Sequence, residues 1–273
     1  MFFVIKSTLA PLYDRPDVHS QRVDEVLHGM AVSVVDGMSG VGMIDGSSGV
    51  GVIDGSSGVG EWVYVRTGYR YMGWVQRKHL TPGINDSHTR CYINATTADV
   101  LASPKVQAPV LSSLPLGSVV SKSCISQEDW THIRLADDRT GYIRSAFISA
   151  FPPETSRESI TKTAELYLNT QYRWGGKTSF GIDCSGLCFM AYWLNGITIY
   201  RDAKIKPGFP IKEISPHEAQ KGDLLFFPGH VGMLLDESLM IHSSEANNGV
   251  KIETLTTKWK SKILTAGTAK LFS

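Results

Sequence analysis

The feature that most constrains this chain is a repeated order of short β-type segments across its first 150 residues. Ala31-Val-Ser-Val-Val35, Trp62-Val-Tyr-Val65 and Gly73-Trp-Val75 are strand-like and separated by Gly and Asp. The order returns in Leu116-Gly-Ser-Val-Val120, Trp130-Thr-His-Ile-Arg134 and Gly141-Tyr-Ile143. Each copy reads as Gly, paired valines, a Trp-led strand, then Gly with an aromatic and Val or Ile. Such a pattern predicts two copies of one small β-barrel, at residues 1–82 and 91–150.

A second repeat lies inside the first copy. Gly37-Met-Ser-Gly-Val-Gly-Met-Ile-Asp45 is followed by Gly46-Ser-Ser-Gly-Val-Gly-Val-Ile-Asp54 and then Gly55-Ser-Ser-Gly-Val-Gly60. A calcium-binding β-helix needs acidic ligands in every turn, and a hard cation wants about six or more oxygens. One Asp per unit does not supply them, so residues 37–60 are expected to be an expanded, flexible loop between two barrel strands, tolerated because closure entropy grows slowly with length.

Phe151-Pro-Pro153 is a stiff linker, and beyond it the pattern changes. Ser156 to Thr170 is predicted to form an amphipathic helix, and Cys184 to Leu194 a second helix, apolar nearly all round and therefore buried. Strands are expected at Asp223–Phe227, His230–Leu235, Leu239–Ser244 and Val250–Leu255. Helices followed by hairpin strands indicate an α+β domain over residues 157–273.

Charge and hydropathy exclude several partners. Lys+Arg 27 against Asp+Glu 26 leaves a formal net charge of +1, so no basic field exists to gather nucleic acid. No stretch approaches the roughly 18 continuous apolar residues that a membrane helix needs. The apolar run at the N-terminus, Phe2 to Ile5, is too short for a secretory signal. With Met1 as the natural start the protein is expected in the cytoplasm; a secreted chain trimmed of its signal would look the same. No cofactor is expected, and the oligomeric state is not readable from the sequence.

The chemistry gathers in the last third of the chain. In Asp183-Cys184-Ser185-Gly186 the Cys opens a helix, where unsatisfied N–H groups and the positive dipole end favour thiolate. Gly186 and the pair Gly175-Gly176 are expected to let a substrate backbone come close. Cys188, one turn further in, is read as a small buried hydrophobe, and Cys91 and Cys124 as reduced thiols. His230 and His242 are 12 residues apart across a turn near Asp236. Even spacing puts them on one sheet face, and a turn centred on Asp236 makes them direct cross-strand neighbours. A base with an orienting second group is the general arrangement for activating a cysteine. A zinc set of Cys184, Cys188, His230 and His242 is disfavoured by a histidine spacing far from that of a finger.

Five motifs then agree in order and spacing. Tyr172-x-Trp174-Gly-Gly176, Asp183-Cys-Ser-Gly186, Gly222-Asp-Leu-Leu-Phe-Phe227, His230-Val-Gly-Met233 and Ile241-His-Ser-Ser244 resemble the NlpC/p60-type papain-like cell-wall peptidases over residues 157 to 260. The β-repeats resemble bacterial SH3-like domains. Tandem SH3-like domains before such a peptidase resemble the γ-D-glutamyl-L-diamino acid endopeptidases of murein peptide recycling. The resemblance implies a cysteine peptidase cleaving the γ-D-Glu–diamino acid bond of murein peptides with a free N-terminal L-Ala. It implies Cys184 as nucleophile, His230 as base and His242 as orienting residue, with Tyr172 beside the nucleophile. It also implies that Asp183 and Ser185 help hold the substrate amine, and that the first barrel adds a Tyr, matched by Tyr71, and an acid, matched by Glu25. The nonapeptide insertion departs from the family pattern within that barrel. The rival functions are a secreted wall-lytic hydrolase acting on intact peptidoglycan and a non-catalytic cell-wall-binding protein.

Overall fold

The computed structural model describes residues 2–35, 61–83, 89–150 and 155–272, save the side chains of 124–126. The chain divides into two compact units, Met1–Ala150 and Phe151–Ser273. The nonapeptide repeats, the linker at 151–153 and the Cys124 thiol, each the subject of an expectation above, lie outside the described residues.

The first unit is all β. Its first half holds β1 (Phe2–Ile5), β2 (Leu9–Tyr13), β3 (Arg22–Leu27), β4 (Ala31–Val34), β5 (Trp62–Thr67), β6 (Met72–Gln76) and β7 (Leu80–Pro82). Its second half holds β8 (Thr89–Ile93), β9 (Thr97–Leu101), β10 (Val110–Pro115), β11 (Val119–Gln127), β12 (Trp130–Arg134), β13 (Thr140–Arg144) and β14 (Ile148–Ala150). The two seven-stranded sheets run β3-β2-β6-β5-β4-β1-β7 and β10-β9-β13-β12-β11-β8-β14. The second order is the first moved along by seven strands, so the duplication in sequence is a duplication of topology. Among the described residues no pairing joins β3 to β7 or β10 to β14, so each sheet is open where a closed barrel was expected. Alternation sets the cores: Leu12, Val26, Val63 and Val75 are buried in the first half, Val100, Leu114, Ile133 and Ile143 in the second. Leu116-Gly-Ser, expected within a strand, makes the turn before β11 instead, with Gly117 at φ +87°.

The two sheets meet at His28. Its Nε2 accepts from the Ala136 N–H at 3.0 Å, and its Nδ1 lies 3.0 Å from the Lys6 carbonyl oxygen. A carbonyl only accepts, so Nδ1 carries the proton and the ring is neutral. The His28 carbonyl also accepts from Val119 N at 2.8 Å.

The second unit packs two helices on a sheet. Helix α1 (Arg157–Glu165) starts at Ser156, whose side chain and that of Ser159 form a reciprocal cap. It is shorter than predicted: beyond Glu165 the chain turns, and Asn169 N and Thr170 O bond to Val250 instead. A hairpin, β15 (Lys177–Thr178) and β16 (Gly181–Ile182), leads into α2 (Cys184–Trp193). There follow β17 (Ile211–Ile214), β18 (Leu224–Phe227), β19 (His230–Leu234), β20 (Leu239–Ser244), β21 (Gly249–Thr254), the short α3 (Thr257–Lys260) and β22 (Thr265–Ala269). The antiparallel sheet order is β17-β22-β18-β19-β20-β21, and α2 packs against α1, β19 and β20. Residues Cys184 to Tyr192 are all buried, as an all-round apolar helix requires.

A pH test follows from His28. Burial, partly offset by the two backbone carbonyls of Ser7 and Lys6, pulls its pKa below the ordinary 6.5, with Asp137 and Arg139 as nearby charges of opposite effect. A depressed histidine stabilises the fold above its unfolded pKa and loses that contribution as the pH falls below about 6.5. The drop in melting temperature from about pH 7.5 to about pH 5 should therefore be smaller in His28→Gln than in the native chain. Equal drops would contradict this assignment.

Candidate active site

The site begins with a cap. Asp183 is extended, ends the β15–β16 hairpin, and accepts from Gly186 N at 2.6 Å, which satisfies one of the free donors opening α2. The same carboxylate accepts from Gly175 N at 2.8 Å and Ser185 Oγ at 3.1 Å. Arg201 grips it with both terminal nitrogens, Nη1 to Oδ1 and Nη2 to Oδ2, each at 3.0 Å. Arg201 is 2% exposed and also donates to Ser185 Oγ at 2.9 Å and to the Gly176 carbonyl at 3.1 Å. Both carboxylate oxygens are thus taken up within the protein, so Asp183 first builds the helix mouth. A Cβ on Gly186 would lie 2.3 Å from the Gly176 oxygen. The glycines expected to admit substrate therefore let the loop and the helix approach each other.

The sheet brings the histidines. Met233 pairs with Ile241 and Leu234 with Met240, so the turn is centred on Glu237 and not on Asp236. His230 and His242 share a face as predicted, but as diagonal neighbours. The residue opposite His242 is Gly232, and a Cβ there would stand 2.4 Å from Met240 Sδ and 3.3 Å from the His242 Cβ. Its missing side chain leaves the space into which the rings close. His230 Nε2 lies 2.8 Å from His242 Nδ1, with the ring planes at 79°. His242 is 0% exposed, and its Nε2 is 2.6 Å from Glu253 Oε2. Asn247 Nδ2 donates to that same oxygen at 3.0 Å. Trp259 closes over both rings, its centroid 5.3 Å from His242 and 6.2 Å from His230. Because the imidazoles spend their facing nitrogens on each other, the pair does not converge on a shared cation.

Helix and sheet are tied beside Cys184. Ser243 Oγ, next to His242, donates to the Ile182 carbonyl at 2.7 Å. The Cys184 sulfur is within hydrogen-bonding reach of the backbone at Val231, the residue after His230, and of Ser185. Burial pushes the thiol up to about 11, the Asp183 charge adds to the rise, and those backbone groups and Arg201 oppose it. A rise from 9.0 to about 11 corresponds to about 3 kcal/mol against the thiolate. A helix N-terminus offers typically ~0.3–1 kcal/mol in its favour, so burial wins and the expected lowering is not what the site produces. His230 is pulled down to about 4 by burial and then by His242, with Glu253 opposing. Both shifts favour a neutral thiol beside a neutral imidazole. Burial, then the charges of Cys184, Asp183 and Glu245, with Arg201 opposing, raise the Tyr172 phenol to about 12, so it stays protonated and able to donate.

The structure therefore brings together Cys184, His230, His242, Tyr172, Asp183 and Ser185. Tyr71 and Glu25 belong to the other unit and keep only the role that resemblance gives them. Tyr71 is half-buried just before β6, its N–H bonded to Thr67 Oγ1 at 3.0 Å. Glu25 is 1% exposed, and its carboxylate accepts from Arg22 at 2.8 Å. Arg201, Glu253 and Trp259 escaped the sequence reading. Glu253 was not within its reach, because a four-residue turn, residues 245–248, sets Ser244 opposite Gly249, and the Asn248-Gly249 pair alone does not give that register.

Residues 169–268 match the NlpC/P60 family. A Lysinibacillus sphaericus protein named dipeptidyl-peptidase 6 is 39% identical over 268 residues, covering 92% of this chain and 91% of its own. The γ-D-glutamyl-L-lysine dipeptidyl-peptidase of Bacillus subtilis (strain 168) is 35% identical over 111 residues, 36% of each chain. A solved NlpC/P60 family structure from Bacillus cereus ATCC 10987 superposes with a TM-score of 0.79 at 20% identity, covering 97% of this chain and 98% of that one; this likeness is one of fold.

Alkylation reads the thiol directly. The iodoacetamide rate at Cys184 should climb about tenfold per pH unit through neutrality, with no acid plateau, because thiolate is the reactive form. Cys188, fully buried and raised well above the ordinary thiol range, should stay unlabelled. A plateau persisting below about pH 6 would instead show a thiolate–imidazolium pair.

Proposed function

The chain belongs to the NlpC/P60 family, whose peptidases are cysteine peptidases, and on that premise we propose that it hydrolyses the bond between the γ-carboxyl of D-Glu and a diamino acid in murein peptides with a free N-terminal L-Ala. In the proposed step His230 takes the Cys184 proton as sulfur attacks the γ-carbonyl. The C–S bond forms, the C–N bond breaks, and the proton passes to the departing amine. Water, deprotonated by His230, then cleaves the thioester and returns the thiol. His242 orients the base. Tyr172 is a proposed substrate contact beside the thiol, and the resemblance adds Asp183, Ser185, Tyr71 and Glu25 for the L-Ala ammonium.

The observation that carries this reading is the hydrogen-bonded His230–His242 pair, set on β19 and β20 against the helix that Cys184 opens. Nearly full-length identity to a dipeptidyl-peptidase supports a substrate that gives up an N-terminal dipeptide, and L-Ala-γ-D-Glu is one. The B. subtilis relative, named for the γ-D-glutamyl-L-lysine bond, supports the bond chosen. A free amine marks a fragment and not intact wall, so the proposal includes a place in murein peptide recycling, in the cytoplasm. The SH3-like character of the duplicated sheets is part of the same proposal, on their shared strand order and Trp-led strands.

Specificity tests it. A site that desolvates an ammonium against fixed acceptors rejects an analogue lacking that charge by a large factor, up to about 10⁴ where polar groups are left unpaired. The enzyme should release diamino acid from L-Ala-γ-D-Glu-diamino acid, read by mass spectrometry. It should fail on the N-acetylated peptide and leave purified sacculi turbid. Comparable rates on the acetylated peptide, or clearing of sacculi, would favour a wall-lytic hydrolase.

A further inference from the structure

The line of contacts from His230 continues past the one residue needed to orient it. Glu253 stands on β21 two residues beyond Lys251, the direct cross-strand partner of His242, and so on the same face as a diagonal neighbour. A carboxylate can only accept, so the proton in the 2.6 Å contact belongs to His242 Nε2. In a neutral imidazole that makes Nδ1 the acceptor, and the 2.8 Å contact places a proton on His230 Nε2. The lone pair that remains on the two rings is then at His230 Nδ1. The Asn247 amide holds the carboxylate oxygen in place from the β20–β21 turn at 3.0 Å. Lys251, the other charged group on this stretch of β21, is turned to Asn169 at 3.1 Å.

We propose that Glu253 is a positioning residue that fixes the tautomer of both histidines, presenting His230 with Nδ1 unprotonated, and that its charge steadies the imidazolium His230 becomes. The proposal rests on Cys184 and His230 as nucleophile and base. With Glu253 removed, His242 can carry its proton at Nδ1, facing His230. The proton of His230 then moves to its own Nδ1, and nothing is left to receive the thiol proton. In the catalytic step the thiol proton goes to His230 Nδ1 and later to the leaving amine. The protons at His230 Nε2 and His242 Nε2 stay where they are, and Glu253 stays ionised, as in other acid-oriented imidazole bases.

The experiment uses the full chain labelled with ¹⁵N-histidine, as native protein, Glu253→Ala and Glu253→Gln. Native spectra should show His230 and His242 both protonated at Nε2 at neutral pH; an Nδ1-protonated His230 would overturn the proposal without any variant. Glu253→Ala should mix the tautomers, slow iodoacetamide at Cys184, and lower kcat about tenfold or more with KM within about twofold. Glu253→Gln, whose amide oxygen still accepts but which carries no charge, should keep the native tautomers and give a kcat between those of the native protein and Glu253→Ala. A Glu253→Ala protein with native tautomers and native kcat, or a Gln variant no better than Ala, would refute the assignment. If Glu253→Ala does not fold, the native spectrum and the Gln variant decide. The spectra and the alkylation need no substrate, so a native enzyme inactive on the murein tripeptide would sink the substrate proposal and leave this one readable.

Discussion

Asp183 and Arg201 leave water together at the mouth of α2, and nearly every part of the helix side of the site hangs on that pair. Removing charges from water costs several kcal/mol per ion and is offset only by close geometry with every remaining donor and acceptor satisfied. Here the requirement is met by the helix donor at Gly186, the loop donor at Gly175, the Ser185 hydroxyl and the Gly176 carbonyl. One carboxylate therefore caps the helix, fastens the loop that follows Tyr172 and fixes Ser185. Loss of either partner of such a pair leaves a buried charge and costs about 3–5 kcal/mol. The sequence around Cys184 thus answers first to structure, and the thiol's position is a consequence.

The sheet side obeys the opposite rule. Cys184, His230 and His242 are withdrawn from water without a permanent counter-charge on the thiol or on His230, so burial favours their neutral forms. In the proposed step charge is made only when the proton moves, and it is then met by groups already in place. The backbone at Val231 faces the sulfur, and the His242–Glu253 line backs the imidazole. Preorganised partners of this kind act without reorganisation during the reaction. Trp259 over both rings keeps their surroundings apolar, which strengthens the contacts between them.

Much of this was legible in the sequence because it depends on local pattern. The second helix was readable from a run that is apolar nearly all round, and the strands of the first unit from their Gly and Asp punctuation. The duplicated β order appeared in the spacing of Trp and Gly residues and returned as two sheets of identical strand order. What depended on register or on long-range pairing was not legible. A turn centred one residue later makes Gly232, and not His230, the cross-strand partner of His242. Arg201 lies in an irregular segment with no periodicity to mark it, and its partner is 18 residues away. The thiol pKa was misjudged because a helix terminus can be read from sequence, whereas the burial that outweighs it cannot.

The central claim is that Cys184 forms a covalent acyl intermediate. Rapid acid quenching during turnover of L-Ala-γ-D-Glu-diamino acid, followed by intact-mass and peptide mapping, examines it directly. The account predicts an L-Ala-γ-D-Glu thioester on Cys184, formed as the free diamino acid appears and absent from Cys184→Ala. An adduct on any other residue, or continued hydrolysis by the Cys184→Ala protein, would contradict it.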